Sequence, residues 1–275
     1  MGKDVRIDNL STGYGKRPII RDLSVSALPA GKLTVLLGPN GSGKSTLLRA
    51  MAGLNVATGK IWHGNDDLLS LSFAQRAGRI VYLPQSLPAG VHLSVLESIL
   101  VAQRSAGQHD STVNKSEVMA LLEQLGIAHL ALTLLDELSG GQKQMVGLAQ
   151  SLIRHPSLLL LDEPLSALDL NYQFHVMDLI KAETLKRDIV TVIVIHDINV
   201  SLRHGDHILM LHQGDLVADG GPEEVITPQN LAQVYGVNTR IELCSRGIPQ
   251  ILIDGLTKRH HDSIERKSSV SKSRY

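Results

Sequence analysis

The chain has 275 residues, 43% hydrophobic and 20% charged, with 27 basic and 27 acidic side chains. That is enough apolar material for a sizeable core in one large domain or two modest ones. No apolar run approaches the roughly 18 residues of a membrane helix, since the best, Val190 to Ile195, runs into His196 and Asp197. The start has no apolar signal region, and Arg6 stands where a myristoylation site wants Ser or Thr. The single cysteine, Cys244, excludes an internal disulfide framework and fits a reducing, cytosolic compartment. Six of the basic residues but only two of the acidic ones lie in 257–275, so the rest of the chain is four charges negative. With only eight aromatic residues as well, a nucleic-acid-binding body is not expected.

In chain order, Lys32-Leu-Thr-Val-Leu-Leu37 reads as a buried strand running into Gly38, and Ser45 to Ala52 as a helix ended by Gly53. Val118, Leu121, Leu122 and Leu125 keep one helical face, with Asn114 and Glu117 at cap spacing before them. A second helical face runs from Met145 to Ile153 and stops at Arg154-His155-Pro156. Leu158 to Leu161 and Val190 to Ile195 are continuous apolar strands, too short for helices. His207 to His212 and Asp215 to Asp219 suggest a hairpin through Gln213-Gly214. Thr227-Pro228 opens a short helix closed by Gly236, and 240–244 with 248–253 form a second candidate hairpin. The expected fold is α/β with a mostly parallel sheet, a helical insert at about 90–155 and a small antiparallel portion. Residues 1–256 are expected to form one domain, and 257–275, aperiodic and rich in Ser and charge, a disordered basic tail.

Gly38-Pro39-Asn40-Gly41-Ser42-Gly43-Lys44-Ser45 fits G-x-x-x-x-G-K-[ST]. Backbone N–H groups can curl around a phosphate chain only where no Cβ intervenes, and the following helix, including Thr46, aims its positive end at the same charge. Lys44 supplies a cation for the phosphates, and the Ser45 hydroxyl a ligand for Mg²⁺. Such a match arises by chance in a chain this long with odds on the order of one in a hundred. The strand at 158–161 ends in Asp162-Glu163, two carboxylates whose side chains diverge. Asp162 can hold the Mg²⁺ shell while Glu163 faces the water that attacks the γ-phosphate. Leu138-Ser139-Gly140-Gly141-Gln142 leaves backbone donors at a helix start, a second anion site.

Leu138 lies 94 residues after Lys44, and Gln142 lies 20 before Asp162. In that order and spacing the chain resembles the ATP-binding-cassette (ABC) ATPases over about residues 4–225. The resemblance implies further roles. Tyr14 is similar to the aromatic that stacks on adenine, and Gln85 to the glutamine that joins the metal shell and senses a membrane partner. Glu163 and His196 are the implied catalytic pair, with His196 at the γ-phosphate. Asp169, in Ser166-Ala167-Leu168-Asp169, resembles the loop that links two active sites. Ser139, Gly140, Gly141, Gln142 and Asp169 are then expected to reach the ATP of a second copy.

The family implies ATP and Mg²⁺, a polytopic permease, an indirectly coupled substrate-binding protein and a place on the cytoplasmic membrane face. The helix after Gln142 carries fewer arginines than in many relatives, which leaves its polar network open. Leu231-Ala-Gln-Val-Tyr-Gly236 and the segment 244–255 resemble the ends of the ATPases of ferric-siderophore, haem and cobalamin importers, although no chemical role for these residues follows from the sequence. Iron-chelate import is the expected work. A regulatory or motor-like ABC ATPase without a membrane partner, or an export ATPase, is the alternative.

Overall fold

A computed structural model describes residues 3–86, 92–105 and 114–257. The expected basic tail beyond Thr257 lies outside the described residues. The chain begins with β1 (Val5–Tyr14) and β2 (Arg17–Leu28), then β3 (Leu33–Leu37), α1 (Lys44–Met51), β4 (Ala57–His63) and β5 (Asp66–Asp67). Next come α2 (Phe73–Ala77), β6 (Ile80–Leu83), α3 (Val95–Arg104), α4 (Lys115–Gln124) and α5 (Gly140–Leu152). They are followed by β7 (Leu158–Asp162), α6 (Leu170–Arg187), β8 (Val190–Val194), α7 (Ile198–His204), β9 (His207–His212) and β10 (Asp215–Gly220). The chain closes on α8 (Pro222–Val225), α9 (Pro228–Tyr235), β11 (Val237–Leu243) and β12 (Pro249–Leu256).

The architecture is α/β, and its centre is a six-stranded sheet in the order β10-β9-β3-β8-β7-β6. Every neighbouring pair from β9 to β6 is parallel, and β10 alone runs antiparallel at one edge. All five residues of β3, β7 and β8 are buried, as a parallel sheet covered on both faces requires. Alternate residues divide between two cores. Leu33, Val35, Leu37, Leu159, Leu161 and Ile193 pack on α3 to α6, whereas Leu36, Leu158, Leu160, Val192 and Val194 pack on α1 and the N-terminal strands.

Those N-terminal strands form a separate four-stranded antiparallel sheet, β2-β1-β4-β5, whose strands the sequence reading does not pick out. Its signal is hidden by bulges. Asn9 and Asp22 take left-handed backbone, φ 47° and 48°, and each adds a residue to its strand. The buried side chains therefore fall at Val5, Ile7, Leu10 and at Ile20, Leu23, Val25, Leu28, where the steps from Ile7 to Leu10, Ile20 to Leu23 and Val25 to Leu28 break the period of two. The helix α6 is also unmarked, because Leu170, Phe174 and Leu185 are exposed while the polar Glu183 and Thr184 are buried.

The local start and stop signals hold elsewhere. Asn114 Oδ1 accepts the Glu117 N–H at 3.2 Å, but the Glu117 carboxylate turns to Gln103 and His155 instead of closing a capping box. Thr227 caps α9, and Gly236 ends it in the left-handed region at φ 69°.

Candidate functional site

Because β3, β7 and β8 are parallel neighbours, their carboxyl ends emerge on one edge, where open α/β sheets bind ligands. The glycine-rich turn leaves β3 there and enters α1. Gly38, Gly41 and Gly43 have φ of 148°, 80° and 105°. A Cβ on Gly38 would lie 2.3 Å from the Leu211 carbonyl oxygen and 2.6 Å from Ser42 Oγ, so only glycine fits. Pro39, Asn40 and Gly41 form the outer lip, with Asn40 and Gly41 exposed, while Ser42, Gly43, Lys44 and Thr46 are buried. Lys44 Nζ donates to the carbonyls of Gly38 at 2.7 Å and Pro39 at 3.1 Å. Burial holds its pKa below the usual lysine range, against the pull of Glu163 and Asp162.

Asp162, the last residue of β7, is only 3% exposed. Ser45 Oγ donates to its Oδ1 and Tyr82 Oη to its Oδ2, each at 3.0 Å. Burial raises the Asp162 pKa, and the two hydroxyls and Lys44 oppose that rise. The same burial, with Asp162 alongside, pushes the Tyr82 phenol up, so it stays a donor. Tyr82 is absent from the sequence expectation, although it sits three residues before Gln85 on β6, the strand paired with β7.

Glu163 is the first residue past β7 and holds φ 53°, a strained position for a non-glycine residue that aims its side chain away from that of Asp162. Its Oε1 meets His196 Nε2 at 2.5 Å, and its Oε2 accepts from Gln85 Nε2 at 2.7 Å. His196 stands two residues beyond β8, and Gln85 two residues beyond β6. Residues 78 and 33 positions away in the chain thus converge on one carboxylate.

The Ser139–Gln142 segment lies elsewhere. Ser139 caps α5 in a reciprocal box with Gln142, whose N–H reaches Ser139 Oγ at 3.3 Å and whose Oε1 accepts the Ser139 N–H at 2.9 Å. Leu138 turns inward and is 5% exposed. Gly141 cannot carry a side chain, because its Cβ would sit 2.7 Å from the Ala167 carbonyl. Gln144, another residue the sequence did not single out, joins α5 to this neighbouring loop. Its Nε2 donates to Ser166 Oγ at 2.7 Å, and its Oε1 accepts the Ala167 N–H at 3.0 Å. This amide supplies a polar network on a helix poor in arginine.

Asp169 caps α6, accepting the Tyr172 N–H at 3.0 Å. Ser139, Gly140, Gly141, Gln142 and Asp169 line one cleft of about 490 Å³, with His129 and Tyr172, and no residue of the 38–46 loop lines it. Tyr14 is half exposed at the β1–β2 turn. Its ring makes no ring-stacking or cation–π contact among the described residues.

The Asp162 environment has a cost. A carboxylate with a raised folded pKa contributes stability at pH below its ordinary range and loses it as pH rises through the raised value. Once ionised, the group therefore destabilises the fold. Asp162→Asn keeps partners for Ser45 and Tyr82 and removes the charge. In chelator, without added ligand, it should melt above wild type at pH 7, with the gain shrinking toward pH 4. A lower melting temperature at pH 7 would contradict this.

Residues 20–166 match the ABC transporter family. The chain is 32% identical to the ferric enterobactin transport ATP-binding protein FepC of Escherichia coli, over 86% of this chain and 89% of that protein. It is 35% identical to the hemin import ATP-binding protein HmuV of Bordetella pertussis, over 85% of this chain and 92% of that one. A solved inward-facing structure of a metal-chelate type ABC transporter superposes with a TM-score of 0.76 at 25% identity, covering 94% of this chain and 99% of that chain. A glycine-rich loop facing a buried Asp162 and a paired Glu163–His196, within this family match, makes the chain a member of the ABC transporter ATP-binding proteins, an ATPase.

Proposed function

We propose that this ATPase energises import of an iron chelate, a ferric siderophore or a related haem or cobalamin ligand, through a separate membrane permease. The observation that carries the hydrolytic part is the convergence of Lys44, Asp162 and Glu163 at one sheet edge. The 38–46 loop takes the triphosphate. Ser42 Oγ is buried there without a hydrogen-bond partner among the described residues, a polar group that a phosphate oxygen would satisfy. Lys44 holds the β- and γ-phosphate charge, and Tyr14 offers its exposed ring to the adenine.

Ser45 Oγ, the Asp162 carboxylate and the side-chain amide oxygen of Gln85 are the oxygen donors that would hold Mg²⁺, a hard cation that prefers such ligands. When bound, that ion neutralises charge between the phosphates. Glu163 accepts the proton of the attacking water, held in place by Gln85 and His196, and His196 steadies the γ-phosphate. Glu163→Gln keeps the shape but removes the base. Turnover should fall at least about 100-fold while nucleotide Kd stays within about threefold. Lys44→Ala should weaken binding itself. Turnover of Glu163→Gln within about threefold of wild type would sink the assignment.

The second anion site works in trans. Ser139 to Gln142 and Asp169 share a cleft that the phosphate loop does not enter, which favours a site completed by a second copy around ATP. The lip residue Asn40 and the cap residue Ser139 are both exposed. In a Cys244→Ser, Glu163→Gln background, Asn40→Cys with Ser139→Cys should give an ATP-dependent, reducible species of twice the chain mass. A disulfide forming only within one chain would refute the shared site.

Residues 1–256 act as one ATPase unit with a helical insert at about 90–155. No helix among the described residues is long and apolar enough to cross a membrane. In this reading a separate permease carries the transport path, and this chain works on its cytoplasmic face. A substrate-binding protein delivers the ligand from the other side. The named transport tasks of FepC and HmuV support the chelate. Cells lacking this chain should lose uptake of a labelled ferric siderophore, haem or cobalamin, and regain it with the wild-type chain but not with Glu163→Gln. Unchanged uptake of all three would overturn the import reading.

A further inference from the structure

The segment 231–236, which carries no chemistry in the sequence, reaches the nucleotide loop. Tyr235, the last residue of α9, places its hydroxyl oxygen 2.8 Å from the Gly38 N–H, which donates to it across 197 positions of chain. Gly38 is the first residue past β3, where the sheet ladder ends, and it is buried. A buried N–H that leaves a ladder needs another acceptor. The Tyr235 side chain provides it.

The contact is rigid from both sides. Gly38 is closed in by Leu211 and Ser42, leaving no room even for a methyl group. The helix α9 is anchored by Leu231 and Val234, 0% and 3% exposed. Its left-handed end at Gly236 is tied to the end of β12, because the Thr257 N–H donates to the Gly236 carbonyl at 2.8 Å. Burial pushes the Tyr235 phenol up to about 12, so it stays neutral.

We propose that Tyr235 is a positioning residue of the phosphate loop, through which α9 and the β11–β12 hairpin set this chain's affinity for nucleotide. The Gly38 peptide fixes the direction in which the loop leaves the sheet, and every later N–H of the loop inherits that direction. This rests on the reading that residues 38–46 hold the phosphates.

The test uses the full chain and titrates ATP and ADP against Tyr235→Phe, which keeps the ring and removes one oxygen. Two comparison variants accompany it. Thr184→Val deletes a buried hydroxyl that bonds Thr191 and the Ile180 carbonyl, away from the loop. Lys44→Ala reports on the loop itself. We expect Tyr235→Phe to raise Kd for both nucleotides about fivefold, the scale of one lost hydrogen bond, with turnover at saturating ATP within about twofold of wild type. Thr184→Val should leave both Kd values unchanged.

A Tyr235→Phe Kd within twofold of wild type, or an equal rise in Thr184→Val, overturns the proposal. So does failure of Tyr235→Phe to fold, since the hydroxyl would then be holding the fold and not the loop. If Lys44→Ala also binds normally, the reading of the loop fails. If Lys44→Ala alone weakens binding, only the role of Tyr235 fails.

Discussion

Parallel pairing of β3, β8 and β7 is the constraint on which the site depends. Each strand alone delivers one piece of chemistry at its carboxyl end: the glycine turn after β3, Asp162 and Glu163 at β7, His196 beyond β8. Leu36 pairs with Val194, and Val194 with Asp162, so the register brings these ends level. A one-residue slip would exchange the faces of a strand and move its terminal group out of reach. The five-residue, fully buried strands resist such slips, because each face has its own core. Packing on both sides of the sheet therefore sets the geometry of the charges at its edge.

Those charges sit in an environment that does not favour them. Burial acts against the charged forms of Lys44 and Asp162 alike, and Glu163 is held at a positive φ that few side chains adopt. The surrounding bonds offset part of this. Lys44 is bound by two loop carbonyls, Asp162 by two hydroxyls, and Glu163 by Gln85 and His196. A preorganised polar site stabilises developing charge because its dipoles are already aimed before the reaction begins. The cost in fold stability and the benefit to charge stabilisation arise from the same burial.

The Ser139–Gln142 segment is built on different principles. Its donors come from a capped helix start, held by the Ser139–Gln142 box and pressed against the 166–169 loop at Gly141. Gln144 couples that loop to α5, and the same loop follows directly on Glu163. Hydrogen bonds from Gln144 thus join α5 to the backbone that follows Glu163. Tyr235 connects α9 to the start of the glycine-rich loop. The 38–46 loop and the 139–142 segment are each in contact with a part of the chain distant from them in sequence.

Much of the site was legible because its chemistry is local in sequence. A loop that wraps phosphates needs glycines at fixed offsets, and Gly38, Gly41 and Gly43 all adopt backbone that other residues resist. The ends of β7 and β8, the Thr227 cap and the Gly236 stop were legible for the same reason. Tertiary structure alone decided the rest. The bulges at Asn9 and Asp22 shift β1 and β2 out of a period of two, and only the pairing of β2 with β1 and of β1 with β4 shows them to be strands. The contacts of Tyr82 with Asp162, Gln144 with Ser166 and Tyr235 with Gly38 span 80, 22 and 197 positions. Local periodicity describes which face of an element is buried. It does not encode which distant donor a buried acceptor will meet, because that is settled only when the sheet and the helices pack.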